Sequence, residues 1–266
     1  MSDLRLMAVF AHPDDESLGL GGTLARYAAE GVATSLVTAT PGDRGRFFSN
    51  EERPSDEEVG RVRAGELHRA ASVLGVREVT LLDYRDGRLD EADPAEIVGR
   101  IAGEMRRQRP QVVVTFGPDG AYGHPDHIAI SQFTAAAATV AADAAADVAG
   151  EAHRVAKLYY MVNTKRVWDL YQTSFKKLVS VVDGQEREAQ PWPEWMITTH
   201  VDARAHWRTV WEAVRCHETQ MAIYGKLDDL TTSQHEVMWG EQHFYRVFST
   251  VNGGRRRETD LFEGLR

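Results

Sequence analysis

The sequence predicts an α/β protein built on a mainly parallel sheet, with a less regular C-terminal portion. Two observations carry this. Strand-like runs alternate with helix-length amphipathic segments through the first half of the chain, the order that βαβ units impose. One run, Val112-Val113-Val114-Thr115-Phe116, is apolar save for the small Thr115, as a strand buried on both faces of a parallel sheet is. The chain has 266 residues, 42% hydrophobic and 27% charged, an ordinary composition for a soluble globular protein. At this size about three quarters of the unfolded surface can be buried.

Residues 4–10 read as the first strand. A helical pattern near residues 20–30 ends at Gly31. Residues 33–40 are rich in β-formers, and Pro41-Gly42-Asp43 breaks them. Residues 43–56 read as a long polar loop. Residues 57–74 place Val59, Val62, Leu67, Ala70, Ala71 and Leu74 at helical spacing, with Gly75 as the C-terminal stop. Residues 78–82 read as a third strand, 94–107 as a helix with Pro94 in its first turn, and 112–116 as the fourth strand. The alanine-rich stretch 135–149 is a helix former by propensity, and Asp143 and Asp147 speak against a membrane element. Further on, 157–162 and 177–182 are strand candidates. Residues 203–222 are a helical segment with Trp207, Val210, Trp211 and Val214 on one face, the tryptophans being core. Residues 184–195 and 225–235 are loops. No repeat and no linker-like break interrupts the chain, so one domain over 1–266 is expected.

The net charge of −9 argues against nucleic acid and anionic membrane surfaces as partners. Arg44, Arg46, Arg61 and Arg63 still leave room for a local basic pocket. The single cysteine, Cys216, excludes an intrachain disulfide and a CxxC metal motif. No secretory h-region and no apolar span of about twenty residues stands out, so a cytoplasmic setting is expected.

Chemistry concentrates in two places. Ala11-His12-Pro13-Asp14-Asp15-Glu16 follows the first strand, and His124-Pro125-Asp126-His127 follows the fourth. One such cluster alone reads as acidic residues complementing a helix N-terminus. Two clusters, each behind a strand-like run, read as halves of one metal site. In an open parallel sheet functional groups gather at the carboxyl ends of strands, so both can converge. A hydrolytic zinc site takes three protein ligands and leaves a position open. His12 and Asp15 supply two of them, and His124 or His127 the third.

These paired clusters resemble the PIG-L/LmbE-like zinc-dependent deacetylases, a family that includes N-acetylglucosaminyl-inositol deacetylases and mycothiol-conjugate amidases. Arg63-Ala64-Gly65-Glu66-Leu67 with Leu74-Gly75-Val76, Tyr84-Arg85-Asp86, Pro118–Gly123 and His217-Glu218-Thr219-Gln220 extend the resemblance over most of the chain. The resemblance implies a Rossmann-like three-layer α/β fold and one Zn²⁺ per chain held by His12, Asp15 and His127. It implies Asp14 as general base, His124 as electrophilic or acid partner, and Asp126 as the orienter of His124. Arg63, Asp86 and Tyr122 match positions that contact sugar substrates. Glu16 is left to support the turn and the helix start. The reaction implied is hydrolysis of an amide, with an N-acetylglucosamine-type sugar or a thiol (mycothiol-like) conjugate as the small-molecule partner. The pocket beyond the metal is expected from residues 43–56 and 184–240.

Other readings fit less well. Gly19-Leu20-Gly21-Gly22 suggests a dinucleotide loop, but Leu24 takes the position of its third glycine and His-Pro-Asp-Asp-Glu occupies the phosphate position. A two-metal phosphoesterase needs more bridging ligands. A non-catalytic metal-binding module leaves the filled reactive positions unexplained. Cys216 and His217 are adjacent and point apart on a helix, which disfavours a thiol nucleophile.

Overall fold

The structure is a computed structural model and describes residues 4–48, 53–174, 179–182, 184–254 and 256–266. Strands β1 (Arg5–Phe10), β2 (Ala33–Thr38), β3 (Glu78–Leu81), β4 (Val112–Phe116) and β5 (Lys157–Val162) alternate with helices α1 (Asp15–Ala29), α2 (Asp56–Val73), α3 (Pro94–Gln108), the single turn α4 (Gly120–Gly123) and α5 (Pro125–Ala142). After β5 come α6 (Lys165–Ser174), the hairpin β6 (Val179–Val182) and β7 (Gln185–Glu188), β8 (Thr199–Asp202), α7 (Trp207–Arg215), α8 (Met221–Tyr224), α9 (Thr232–Gly240) and β9 (Glu241–Ser249).

Seven strands form one sheet in the order β3-β2-β1-β4-β5-β9-β8. The first five run parallel, and β9 lies antiparallel between β5 and β8. Every residue of β4 is buried, as the apolar run requires. The helices pack as two groups, α1 and α2 with α7 and α9, and α3 with α5. Right-handed crossovers place these groups on opposite faces. The expected α/β class with a mainly parallel sheet and a less regular late portion is what the chain adopts. No helix among the described residues is long and apolar enough to cross a membrane.

Several boundaries differ from the sequence expectation. Helix α1 starts at Asp15, not near residue 20, so the first acidic cluster lies inside its opening turn. Helix α2 starts at Asp56, where the Ser55 hydroxyl accepts from the Glu58 amide, and Gly75 follows it at φ 76°. Of the expected loop at 43–56, residues 49–52 lie outside the described residues. Residues 143–149 are not helical, because α5 ends where Asp143 turns extended (φ −85°, ψ 110°). The expected helix 203–222 bends after Arg215 into short turns. Residues 232–235 belong to α9, which a Thr231–Gln234 capping box starts. Residues 185–188 form β7, and in the expected strand 177–182 only 179–182 are described. Trp207 and Trp211 pack partly buried against the core, with the His235 ring stacked 4.7 Å from Trp207.

Candidate metal centre

The chain leaves β1 at Phe10 and enters α1 at Asp15, so it must turn sharply. It does so with Asp14 at φ 102°, ψ −25°, a left-handed conformation costing a non-glycine residue about 1–3 kcal/mol. An aspartate at a helix N-cap ordinarily turns its carboxylate onto the first amides of the helix. Asp14 makes no such bond. Its Oδ2 accepts from the Tyr224 hydroxyl at 2.8 Å and from Arg63 Nη2 at 3.3 Å.

The neighbouring side chains converge. His12 Nδ1 lies 3.2 Å from His127 Nε2, Asp15 Oδ1 lies 3.4 Å from His127 Nε2, and Asp15 Oδ2 lies 3.6 Å from His12 Nδ1. Ligand atoms about 2.0–2.1 Å from a tetrahedral ion stand about 3.3–3.4 Å apart. Asp15 meets His127 with Oδ1 and His12 with Oδ2, so the three side chains crowd around one point with nearest-atom distances close to that spacing. The His12 amide donates to Asp15 Oδ2 at 2.8 Å, which fixes that carboxylate. The ring nitrogens of His12, His124 and His127 also fall within 4.8 Å of one another.

His12 Nε2 faces away from this centre. It lies 3.0 Å from Asp126 Oδ2 and 3.2 Å from Asp86 Oδ1. A proton on Nε2 leaves the Nδ1 lone pair for a metal, the carboxylate–histidine arrangement of many metal sites. This corrects the expectation for Asp126. Its carboxylate takes His12 Nε2 together with the Gly87 and Leu89 amides, at 2.7 and 3.0 Å. It does not orient His124, because only its backbone reaches that ring: the Asp126 amide donates to His124 Nδ1 at 3.2 Å. That bond makes Nδ1 the acceptor and places the His124 proton on Nε2.

Arg63 is 3% exposed. Its guanidinium donates to the carbonyls of Gly42 and Pro13, at 2.8 and 2.6 Å, as well as to Asp14. Only its buried Nε lacks a partner. Asp86 is 8% exposed and accepts the Arg44 amide on Oδ2, so it serves His12 as well as the cavity. Tyr122 stands with its ring 5.3 Å from His127 and 5.8 Å from His124.

Burial pushes Asp14 up to about 6, against the pull of Arg63. Burial also opposes ionisation of Asp15, but His127 and His12 beside it bring it down to about 2. Burial lowers His124 and drives His127 down to about 3, which favours the neutral form of both rings. His127 lies flat on Phe116 at 3.9 Å. A neutral imidazole beside an ionised carboxylate is the donor set a divalent cation takes.

These groups open into a cavity of about 460 Å³. His12, Asp14, Asp15, Asp86, Tyr122, His124 and His127 line its floor. Arg44, Gly45, Ala189, Gln190, Trp192, Tyr224 and Met238 come from the stretches expected to form the distal pocket. Val162, Asn163, Val167, Trp168 and Tyr171, and residues 241–244, also line it and were not expected. No motif marks them: Trp168 and Tyr171 sit one turn apart on α6 with parallel rings, a pattern that reads as ordinary core. Tyr224 meets Asp14 across 210 residues, beyond any local signal.

A family model described as PIG-L, GlcNAc-PI de-N-acetylase, matches residues 7–138. A 1D-myo-inositol 2-acetamido-2-deoxy-alpha-D-glucopyranoside deacetylase of Rhodococcus jostii (strain RHA1) is 35% identical over 295 residues, covering 100% of this chain and 99% of the relative. The conserved protein TT1542 from Thermus thermophilus superposes with a TM-score of 0.65 at 25% identity, covering 94% of this chain and 97% of that one. The N,N'-diacetylchitobiose deacetylase from Pyrococcus horikoshii shares the fold with a TM-score of 0.67 at 18% identity, over 91% of this chain and 83% of that one.

Proposed function

Because the chain belongs to the PIG-L family of GlcNAc-PI de-N-acetylases, we propose that it removes the N-acetyl group of an N-acetylglucosamine-type sugar or glycoconjugate, using one zinc ion held by His12, Asp15 and His127. It is an enzyme of the deacetylase/amidase kind. The observation that carries the finer reading is the convergence of His12, Asp15 and His127, whose nearest nitrogen and oxygen atoms lie 3.2–3.6 Å apart, with the Asp14 carboxylate, free of any helix-capping bond, beside them.

An amide is a poor electrophile and water a poor nucleophile at neutral pH. The bound ion supplies the Lewis acidity that acidifies a water and polarises the carbonyl. Asp14, adjacent to the ligands but not needed as one, takes the proton from the attacking water and delivers it to the leaving amine. The Tyr224 and Arg63 bonds leave its second oxygen for that transfer. His124 keeps Nε2–H for the carbonyl oxygen as it gains negative charge, a contribution of about a hundred- to a thousandfold in rate for one such donor. Asp126 and Asp86 hold the His12 tautomer. Asp86, Tyr122 and Arg63, which all line the cavity, are the residues proposed to meet sugar hydroxyls.

The aromatic wall of Trp168, Tyr171, Trp192 and Phe244 favours a second reading, an amidase acting on a thiol conjugate with an apolar substituent. Primary-amine release over a panel of N-acetylated sugars, headed by the inositol glycoside, and of thiol conjugates separates the two. Asp14→Asn is expected to keep its zinc and lose about a hundred- to ten-thousandfold in turnover. Full turnover in that variant, or no amine release from any acylated amine by zinc-loaded enzyme, would overturn the proposal.

A further inference from the structure

Asp14 is held through its backbone as well as its side chain. At φ 102° its peptide N–H turns back onto Glu16, whose Oε2 accepts it at 3.0 Å. The other oxygen of Glu16 meets His217 Nε2 at 2.8 Å and accepts from the Ser17 hydroxyl at 2.5 Å. Glu16, Ser17 and His217 are all 0% exposed. Nδ1 of His217 has no hydrogen-bond partner, so the ring's polar tethers are all on its Nε2 side. Burying an acid–imidazole pair carries a desolvation cost that a packed apolar pair avoids. Stability alone does not call for such a pair, and its route to the site is the Asp14 amide.

We infer that Glu16 and His217 are positioning residues that lock the backbone of Asp14 in its left-handed conformation and so keep its carboxylate out of the helix-capping role and beside the metal donors. The inference rests on Asp14 as the proton-moving group. Without an acceptor at position 16, residue 14 relaxes to the extended conformation of an ordinary N-cap, and its carboxylate swings onto the amides of residues 16 and 17. The link starts in the bend after α7, so a late segment of the chain sets the aim of a group near its beginning.

The test is a cycle of variants on the zinc-loaded enzyme. Glu16→Met keeps the volume and removes the acceptor. It is expected to lower kcat about ten- to hundredfold, the scale of a displacement of about 1 Å, with KM and zinc content unchanged. Glu16→Gln, which keeps one oxygen for the Asp14 amide, is expected to restore most of that loss. In an Asp14→Asn background Glu16→Met is expected to cause no further loss, because the group it aims is gone. An equal fold-loss in both backgrounds, or a loss of zinc that tracks the loss of kcat, would overturn the inference. Should Glu16→Met fail to fold, His217→Leu releases Glu16 from the other side and must show the same dependence on Asp14. An Asp14→Asn variant with full activity is a separate result, which removes the premise.

Discussion

Asp126 spends both carboxylate oxygens on groups far from it in the chain, the His12 ring and the Gly87 and Leu89 amides. A carboxylate so anchored fixes both the tautomer and the direction of the ring it holds. Asp126→Ala is therefore expected to weaken zinc affinity about ten- to hundredfold, measured by competition with a chelator. Unchanged affinity with reduced turnover would return Asp126 to His124. The candidate donors were legible because His12, Asp15, His124 and His127 lie in two compact clusters, one directly after β1 and one a short turn after β4. Their supports were not. The Asp126–His12 contact spans 114 residues and the Tyr224–Asp14 contact 210, and neither an aspartate nor a tyrosine announces a partner at that distance. His217 stood in a recognisable segment, but nothing in that segment points to the buried Glu16.

Helix α1 carries Gly19, Gly21 and Gly22 in its interior, where glycine lowers helix stability by about 0.5–1 kcal/mol each relative to alanine. Packing explains their presence, and phosphate binding is not needed. A Cβ at Gly22 would run into the carbonyl oxygen of Trp239 at the end of α9, and one at Gly21 would stand 2.8 Å from Val210 of α7. These contacts let α1 lie close to both helices. Gly22→Ala is expected to destabilise by about 1–3 kcal/mol, as overpacking does, lowering the melting temperature by roughly 2–10 °C without loss of zinc. The early elements were readable because their burial is one-sided or complete, which yields clean periodicity. Strand β9 was not, since its first residues, Glu241-Gln242-His243, face the cavity and interrupt the apolar alternation with polar groups. Strand β8 has four residues, too short to show a period.

Across the whole molecule, the last residues of the chain tie the sheet together. Glu258 is 1% exposed and accepts from Lys157 Nζ, Tyr159 OH and Thr199 Oγ1 at 2.7, 2.6 and 2.9 Å, with Arg246 and Asn252 completing the cluster. It thereby joins β5, β8 and β9. Burial opposes its charge, but the bonds from Lys157 and Tyr159 bring it from 4.5 down to about 2. A depressed acid stabilises the fold fully above its unfolded value of 4.5 and loses that contribution as pH falls towards 2. The amount at stake is on the order of 3 kcal/mol. Glu258→Gln is therefore expected to lower the melting temperature at pH 7 and to flatten its decline between about pH 5 and pH 2. A variant that declines as steeply as the parent would show that other acids govern acid unfolding. The reversed direction of β9 has a wider consequence. Parallel strands deliver their ends to the site, whereas β9 delivers its beginning, so Glu241–Phe244 reach the cavity directly from α9. The proposed metal ligands all lie within residues 12–127, inside the stretch that the family model matches, and much of the cavity wall comes from 161–244. The two portions therefore share the site: the proposed ligands come from the first, while the second supplies much of the lining and, through Tyr224 and His217, the supports of Asp14.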